Sequence, residues 1–398
     1  MKRNRLIFIG IAVLTVLLNV FAWNSTVFSN GYITYIFPIW VNTYGRLTGI
    51  FPFSVGEWLI VAGVILVLAA VLLAVAAVLV WAVSFVRRSV SSGRQAQKGW
   101  KSFLKGFYRF FAWTLLIVAL IMTLNCFILY HASTFSEKYF GEGKEEYSLE
   151  ELLTVRNYVV EQCNELSLKM ERAQDGSILY TGSTLKSGKE GDMGEKAIEL
   201  MQDLGKTYPQ LDGYYPKPKP LFSSDFMCQQ YTQGYYFPFS MEANYNNVMY
   251  VMNIPSTLCH ELAHLRGYIF EDEANFISYL ACVESEDEFF RYSGYLSVLN
   301  YLENDLYKAW KANPKAYEEA AQEVPPVAAL SQVYEDNVFV VDEEWERING
   351  EAIFDTEDVD RVSDTFTDIT LKVNGVEDGM LSYSRVVELL LQYYSGVL

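Results

Sequence analysis

Cys259-His260-Glu261-Leu262-Ala263-His264-Leu265-Arg266-Gly267, followed at once by Glu271-Asp272-Glu273-Ala274-Asn275, is the stretch on which the reading of this chain turns. The protein has three histidines, and two of them are here. At about 3.6 residues per turn, His260 and His264 share one face of a helix and project their rings in nearly the same direction, so two imidazoles can grip one tetrahedral ion. Cys259 points some ~100° away from that face and reads as a small buried residue. Gly267 can end the helix in a left-handed turn, and a second helical pattern begins at Glu271. The expected pair of helices lies near 257–266 and 271–283, the second carrying a carboxylate back toward the histidines.

Glu261 sits beside the first histidine, placed to face a water rather than the ion. This is the His-Glu-x-x-His arrangement of zinc metalloproteases, in which the glutamate takes a proton from water and later hands it to the leaving amine. Zn2+ is therefore the expected cofactor, with His260 and His264 as ligands and Glu261 as general base and acid. Glu271 and Asn275 are four apart and share a face, whereas Glu273 points to nearly the opposite side. The economical assignment is Glu271 as third ligand, with Asn275 holding the free nitrogen of a ligating histidine; Glu273 is the alternative ligand. The Glu271-Asp-Glu-Ala-Asn275 run also resembles the Glu-x-x-Ala-Asp/Asn helix of gluzincin peptidases, which implies the same choice. Their usual separation between the two helices is longer than this one.

The first 130 residues read as membrane. Apolar runs near 6–23, 59–85 and 110–130 are each long enough to cross a hydrocarbon core as a helix. Lys2, Arg3 and Arg5 precede the first run. Arg87, Arg88, Arg94, Lys98, Lys101, Lys105 and Arg109 lie between the second and third with no acid among them, so the positive-inside rule makes both stretches cytoplasmic. Three crossings then put residues 131–398 outside. The intervening Asn24–Glu57 stretch, with Tyr32, Tyr35, Phe37, Trp40 and Tyr44, suits a segment lying at the interface; the other option is entry of residues 32–53 into the bilayer.

Beyond residue 130 lie 47 of the 48 acids and 20 of the 31 bases. So acidic a surface excludes nucleic acid as a partner and needs no explanation beyond solubility, because its acidic runs lack the ligand spacing of a calcium loop. The expected class is a three-helix membrane region joined to a mainly helical α+β, zincin-like domain. Tyr147–Glu171 and Ala197–Leu204 read as helices, with a Gly/Ser-rich exposed loop between them. The prolines of Tyr214–Pro220 make an extended linker. Gly234–Ser240 and Val248–Asn253 read as strands, Pro238 marking an edge, and Ser256 reads as the N-cap of the histidine helix. A stripe of Val386, Leu389, Leu390 and Tyr393 makes the tail from Tyr383 to Tyr394 a packed helix.

Pro238-Phe-Ser-Met-Glu-Ala-Asn244, the histidine and Glu271 segments, Phe290-Arg-Tyr-Ser-Gly-Tyr295, Leu371-Lys-Val-Asn-Gly375 and Ser382-Tyr383-Ser384 together resemble a bacterial membrane family catalogued as domain of unknown function 3810. The resemblance implies a zincin-like bacterial membrane protein; the charge rule makes the expected location the cytoplasmic membrane, with the N-terminus cytoplasmic and the large domain extracytoplasmic. Glu242 and Asn244 are candidates to line a substrate cleft, and Arg291 and Tyr292 to donate to an oxyanion. The expected function is hydrolysis of a peptide or protein substrate outside the membrane. The alternative is a non-catalytic envelope receptor or assembly factor, which Glu261 argues against because a structural zinc site needs no base. Intramembrane cleavage ranks last, since the motif is far in sequence from the apolar runs.

Overall fold

The computed structural model describes residues 2–86, 94–141, 144, 147–374, 376 and 385–398, without the side chains of 2, 84–86 and 94–98. Arg87, Arg88, Gly375 and Ser382–Ser384 lie outside the described residues, as do the side chains of Arg94 and Lys98. The chain is 70% helical. Among the described residues, three helices are long and apolar enough to cross a membrane, over Arg3–Asn24, Val55–Val83 and Gly99–His131. Their outward side chains are Leu, Val, Ile, Phe and Trp left exposed, as expected of a lipid-facing surface. The first and third pair through Phe8 on Trp113 and through Asn19, whose Nδ2 donates to Thr123 Oγ1 at 2.8 Å. Tyr108 of the third donates to the Ala70 carbonyl of the second at 2.7 Å.

The third of these helices is not plain α-helix to the end of its apolar run. It continues through a π-turn at Thr123–Phe127 and a 3-10 turn at Leu129–His131, where Thr123, Asn125, Ile128 and Leu129 are buried. The segment between the first two long helices is itself helical, over Thr26–Tyr35, Phe37–Trp40, Val41–Gly45 and Arg46–Thr48. It buries Tyr32, Ile33, Phe37 and Val41 in the same apolar core as the C-terminal region, while Tyr35, Ile39, Tyr44 and Ile50 stay exposed. One face is thus an interface-like apolar surface and the other a packing surface. The core does not end at residue 130.

That core is built by helices Leu149–Ser167, Met193–Thr207, Ile254–His264, Glu271–Val283 and Glu288–Ala312, closed by Val386–Tyr394. The tail helix is described over Val386–Tyr394, where it buries Val386, Val387, Leu390, Leu391 and Tyr394; the expected start at Tyr383 lies outside the described residues. Five short strands interrupt the helices. Strands β1 (Ser183–Thr184) and β2 (Glu190–Gly191) pair as a hairpin inside the Gly/Ser-rich stretch expected to be a loop. Strands β3 (Lys219–Pro220), β4 (Gly234–Phe237) and β5 (Glu242–Tyr245) form a sheet of order β3-β5-β4. β3 runs parallel to β5, and β4 runs antiparallel to it, with Gly234 opposite Tyr245 and Phe237 opposite Glu242.

Two local expectations are corrected. Val248–Asn253 is not a strand: Asn246 Oδ1 accepts from Val248 N at 3.0 Å, and a 3-10 turn follows over Val251–Asn253. An Asn side chain offering the backbone a turn outcompetes a β ladder here. Ser256 is not the N-cap, because the helix begins earlier at Ile254; Ser256 lies inside it, its Oγ donating back to Asn253 O at 3.3 Å.

Candidate metal centre

The histidine helix ends at His264, and Gly267 turns the chain with φ +87°, a conformation that favours glycine. A Cβ there would also meet Ile33 Cγ2 at 2.9 Å. The next helix therefore starts at Glu271 and returns along the first. His260 Nε2 and His264 Nε2 lie 3.0 Å apart, and Glu271 Oε2 lies 3.0 Å from the former and 3.7 Å from the latter. Among the described residues these three form a group whose ligand atoms lie within 4.8 Å of one another. Two donors each about 2.1 Å from a tetrahedral zinc are about 3.4 Å apart, so the triangle matches the face of such a site.

The tautomers fit as well. His264 Nδ1 lies 2.7 Å from the Tyr268 carbonyl oxygen, which can only accept, so the proton sits on Nδ1 and Nε2 carries the lone pair. Burial pushes His264 down to about 4, against the pull of Glu271. His260 is also penalised by burial, but Glu271, Glu261 and Asn275 outweigh that and hold it above the ordinary histidine value. Asn275 lies beside His260 and Tyr301, and its buried Nδ2 has no hydrogen-bond partner. Tyr301 is held above the usual phenol range by burial and then by Glu271.

Glu261 is 3% exposed, and its Oε2 has no hydrogen-bond partner. Burial pushes its carboxyl up to about 8, Glu271 adding to the rise and His260 opposing it. A buried carboxyl with an orphaned oxygen beside a cluster of donors is a candidate for a functional group. The start of β4 lies against it. A methyl on Gly234 would come within 2.8 Å of Glu261 Oε1 and 2.6 Å of the Asn244 carbonyl oxygen, so only glycine lets the strand approach so closely.

Other candidates fall elsewhere. Glu273 accepts from Ser136 N at 3.1 Å and Ser136 Oγ at 2.6 Å, so it holds the start of helix Phe135–Tyr139 and leaves the donor triangle to Glu271. Glu242 is buried in an ion pair with Lys219 and accepts from Val55 N at 3.2 Å and Gly56 N at 2.8 Å. It satisfies the open N–H groups at the start of the second long helix and lines no cleft. Asn244 is fully buried, its Nδ2 reaching the Tyr235 and Glu242 carbonyls at 3.4 Å. Tyr292 is also fully buried, donating to Asp336 at 2.7 Å beside Arg172. Arg291 lines a different cavity of about 850 Å³, with Lys169, Tyr180, Lys196 and Asp287, to which no residue of the donor triangle contributes.

Sequence distance also misleads about the membrane. Tyr236 lies 6.2 Å from the His264 ring, and its hydroxyl donates to the Asn125 carbonyl of the third long helix at 3.1 Å. Tyr130 of that helix meets Phe270 edge-on at 5.5 Å, within electrostatic reach of Glu271. The centre lies beside the end of an apolar helix, not far from it. Tyr130, Tyr236 and Tyr301 were not legible as site residues, because no spacing relates them to the histidines.

Neither a curated protein nor a solved structure matches the chain. A family model described as "Protein of unknown function (DUF3810)" matches residues 32–391, which takes in most of the helical segment after the first long helix, the two later long helices, the donor triangle and the first part of the tail helix. The chain belongs to that family.

Proposed function

We propose that this protein is a membrane-anchored zinc metallopeptidase that cuts polypeptide outside a bacterial cytoplasmic membrane. The observation that carries this reading is the meeting of His260, His264 and Glu271 beside a buried, unpartnered Glu261 oxygen. Those three side chains would hold the metal, and zinc so bound polarises a carbonyl and acidifies water. Glu261 would take the proton from the attacking water and deliver it to the departing amine. The Tyr268 carbonyl fixes His264 in the tautomer this requires, and Asn275 lies beside His260. Tyr301, within electrostatic reach of Glu271, is the better placed hydroxyl for an oxyanion than Tyr292, which is committed to Asp336.

Support for the location comes from packing. Residues of 26–57 are bonded or packed to the large domain through Ile33 on Gly267, Thr48 to the Ser240 carbonyl at 2.7 Å, and Val55 and Gly56 to Glu242. These contacts support placing both regions on one side of the bilayer, as three crossings require. The basic loop between the second and third crossings faces the other side, the cytoplasm by its charge.

The test is the full chain purified in detergent, with zinc measured by elemental analysis and turnover compared with Glu261→Gln on a peptide library. Stoichiometric zinc in both, with turnover lost only in the variant, is expected. Stoichiometric zinc with no turnover in either would favour a receptor or assembly role, and absence of zinc would sink the centre itself.

A further inference from the structure

The position of β4 assigns more than a reaction class. At one end Gly234 packs against Glu261. At the other, a methyl on Gly56 would meet Phe237 Cδ1 at 2.8 Å, and Asn125 Nδ2 donates to the Pro238 carbonyl at 2.8 Å. Gly56 opens the second membrane-length helix, and Asn125 belongs to the end of the third. The strand therefore runs from the candidate base to the mouth of the membrane helices in three residue steps, about 10 Å at a rise of about 3.4 Å per residue.

The outer edge of this half-exposed strand has no strand neighbour among the described residues. Asn246 N donates to Gln233 O at 2.7 Å, which fixes the alternation so that Tyr235 and Phe237 bond toward β5 while Gly234 and Tyr236 direct N–H and C=O the other way. Among the described residues, no backbone partner meets that side. An extended polypeptide can add there as a further strand. Tyr35, Ile36, Ile39, Tyr44, Ile50 and Phe51 meanwhile expose an apolar collar on the segment preceding Gly56, suited to the headgroup boundary.

We infer that the substrate is a polypeptide with an apolar membrane anchor, cut within a few residues of the point where it leaves the bilayer. This rests on the peptidase reading and adds a ruler to it. A chain paired with β4 enters at the Phe237 end, where the anchor stays in lipid, and reaches Glu261 after about three to six residues. Selection then comes from distance to the membrane as well as from side chains.

The full chain is reconstituted in phosphatidylethanolamine/phosphatidylglycerol vesicles and given polypeptides with an apolar anchor of about 20 residues followed by a randomised polar segment. The same segments without an anchor, and a set with a short Gly/Ser spacer inserted after the anchor, complete the comparison. Cleavage absent with Glu261→Gln is expected at least about tenfold faster on anchored chains, a difference of about 1.4 kcal/mol in barrier. Mass spectrometry is expected to place the cuts about three to six residues from the anchor, with the spacer itself cut when present. Equal cleavage of anchor-free peptides, or cuts that travel with the randomised segment past the spacer, overturns the ruler and leaves the peptidase standing. Loss of all Glu261-dependent cleavage in every arm overturns the peptidase reading and the ruler with it.

Discussion

The Nδ1 atom of His264 lies 2.7 Å from the carbonyl oxygen of Tyr268, across the tight turn that Gly267 makes at φ +87°. One bond thus ties the orientation of a candidate ligand to the geometry of the turn that delivers the next. Gly267→Ala strains that turn by about 1–2 kcal/mol and drives its methyl into Ile33 Cγ2. The expected result is a lower melting temperature together with weaker zinc binding, read by competition with a chromogenic chelator. Unchanged zinc affinity in a folded variant would separate the turn from the centre.

Glu271 and Glu273 are two residues apart and are expected to behave oppositely. Glu271→Gln should lose zinc by more than the roughly 10–100-fold that follows removal of an outer hydrogen-bonding partner. Glu273→Gln should keep stoichiometric zinc while loosening Phe135–Tyr139, whose Ser136 it holds. Elemental analysis with limited proteolysis near residue 135 checks both.

Lys219 and Glu242 form a buried ion pair at the base of the second long helix, 5% and 1% exposed. Lys219→Met leaves a carboxylate buried against only the Val55 and Gly56 amides and Ser240, at an expected cost of about 3–5 kcal/mol. The double substitution Lys219→Met, Glu242→Leu should recover part of this. Protease sensitivity of residues 49–57 in detergent is the measurement; equal sensitivity of all three forms would contradict the docking role.

Acidification should release zinc. A ligating imidazole must be neutral, so protons compete with the metal as pH falls through the ordinary histidine range near about 6.5. His260, held above its usual value by Glu271 despite burial, meets that competition first. His264, pushed down to about 4, stays neutral throughout. Apparent zinc affinity should therefore rise with pH from about 5 and level off in the alkaline range with a one-proton slope; a two-proton slope would show that both rings compete.

Topology is open to labelling. Val27→Cys and Ile353→Cys place thiols at positions 83% and 90% exposed, in the first inter-helix segment and in the large domain. A membrane-impermeant maleimide applied to intact cells should modify both, and neither in inverted vesicles. Reaction from opposite sides would mean that residues 32–53 enter the bilayer.

Much of the centre was legible because it is local. His260, Glu261, His264 and Glu271 lie within one helical hairpin, where periodicity and one glycine fix relative positions. Glu242 was misread for the opposite reason: its amide partners Val55 and Gly56 are 187 and 186 residues away, and nothing in Pro238-Phe-Ser-Met-Glu-Ala-Asn244 announces them. Tyr292 looked chemical by proximity in sequence, but the helix turns it toward Asp336. The three long helices were evident from composition, whereas the fate of 26–48 depended on which face of an amphipathic segment found a partner.

The grip of Glu242 on Val55 and Gly56 bears on how such a protein is kept in check. Released by a cut near residue 132, the large domain would lose the two amides, the Ile33 and Phe37 side chains that complete its core, and Asn125 at the end of β4. A shed fragment would carry the histidines without the scaffold that aligns them. On the peptidase reading proposed above, hydrolytic capacity would then end with detachment from the membrane.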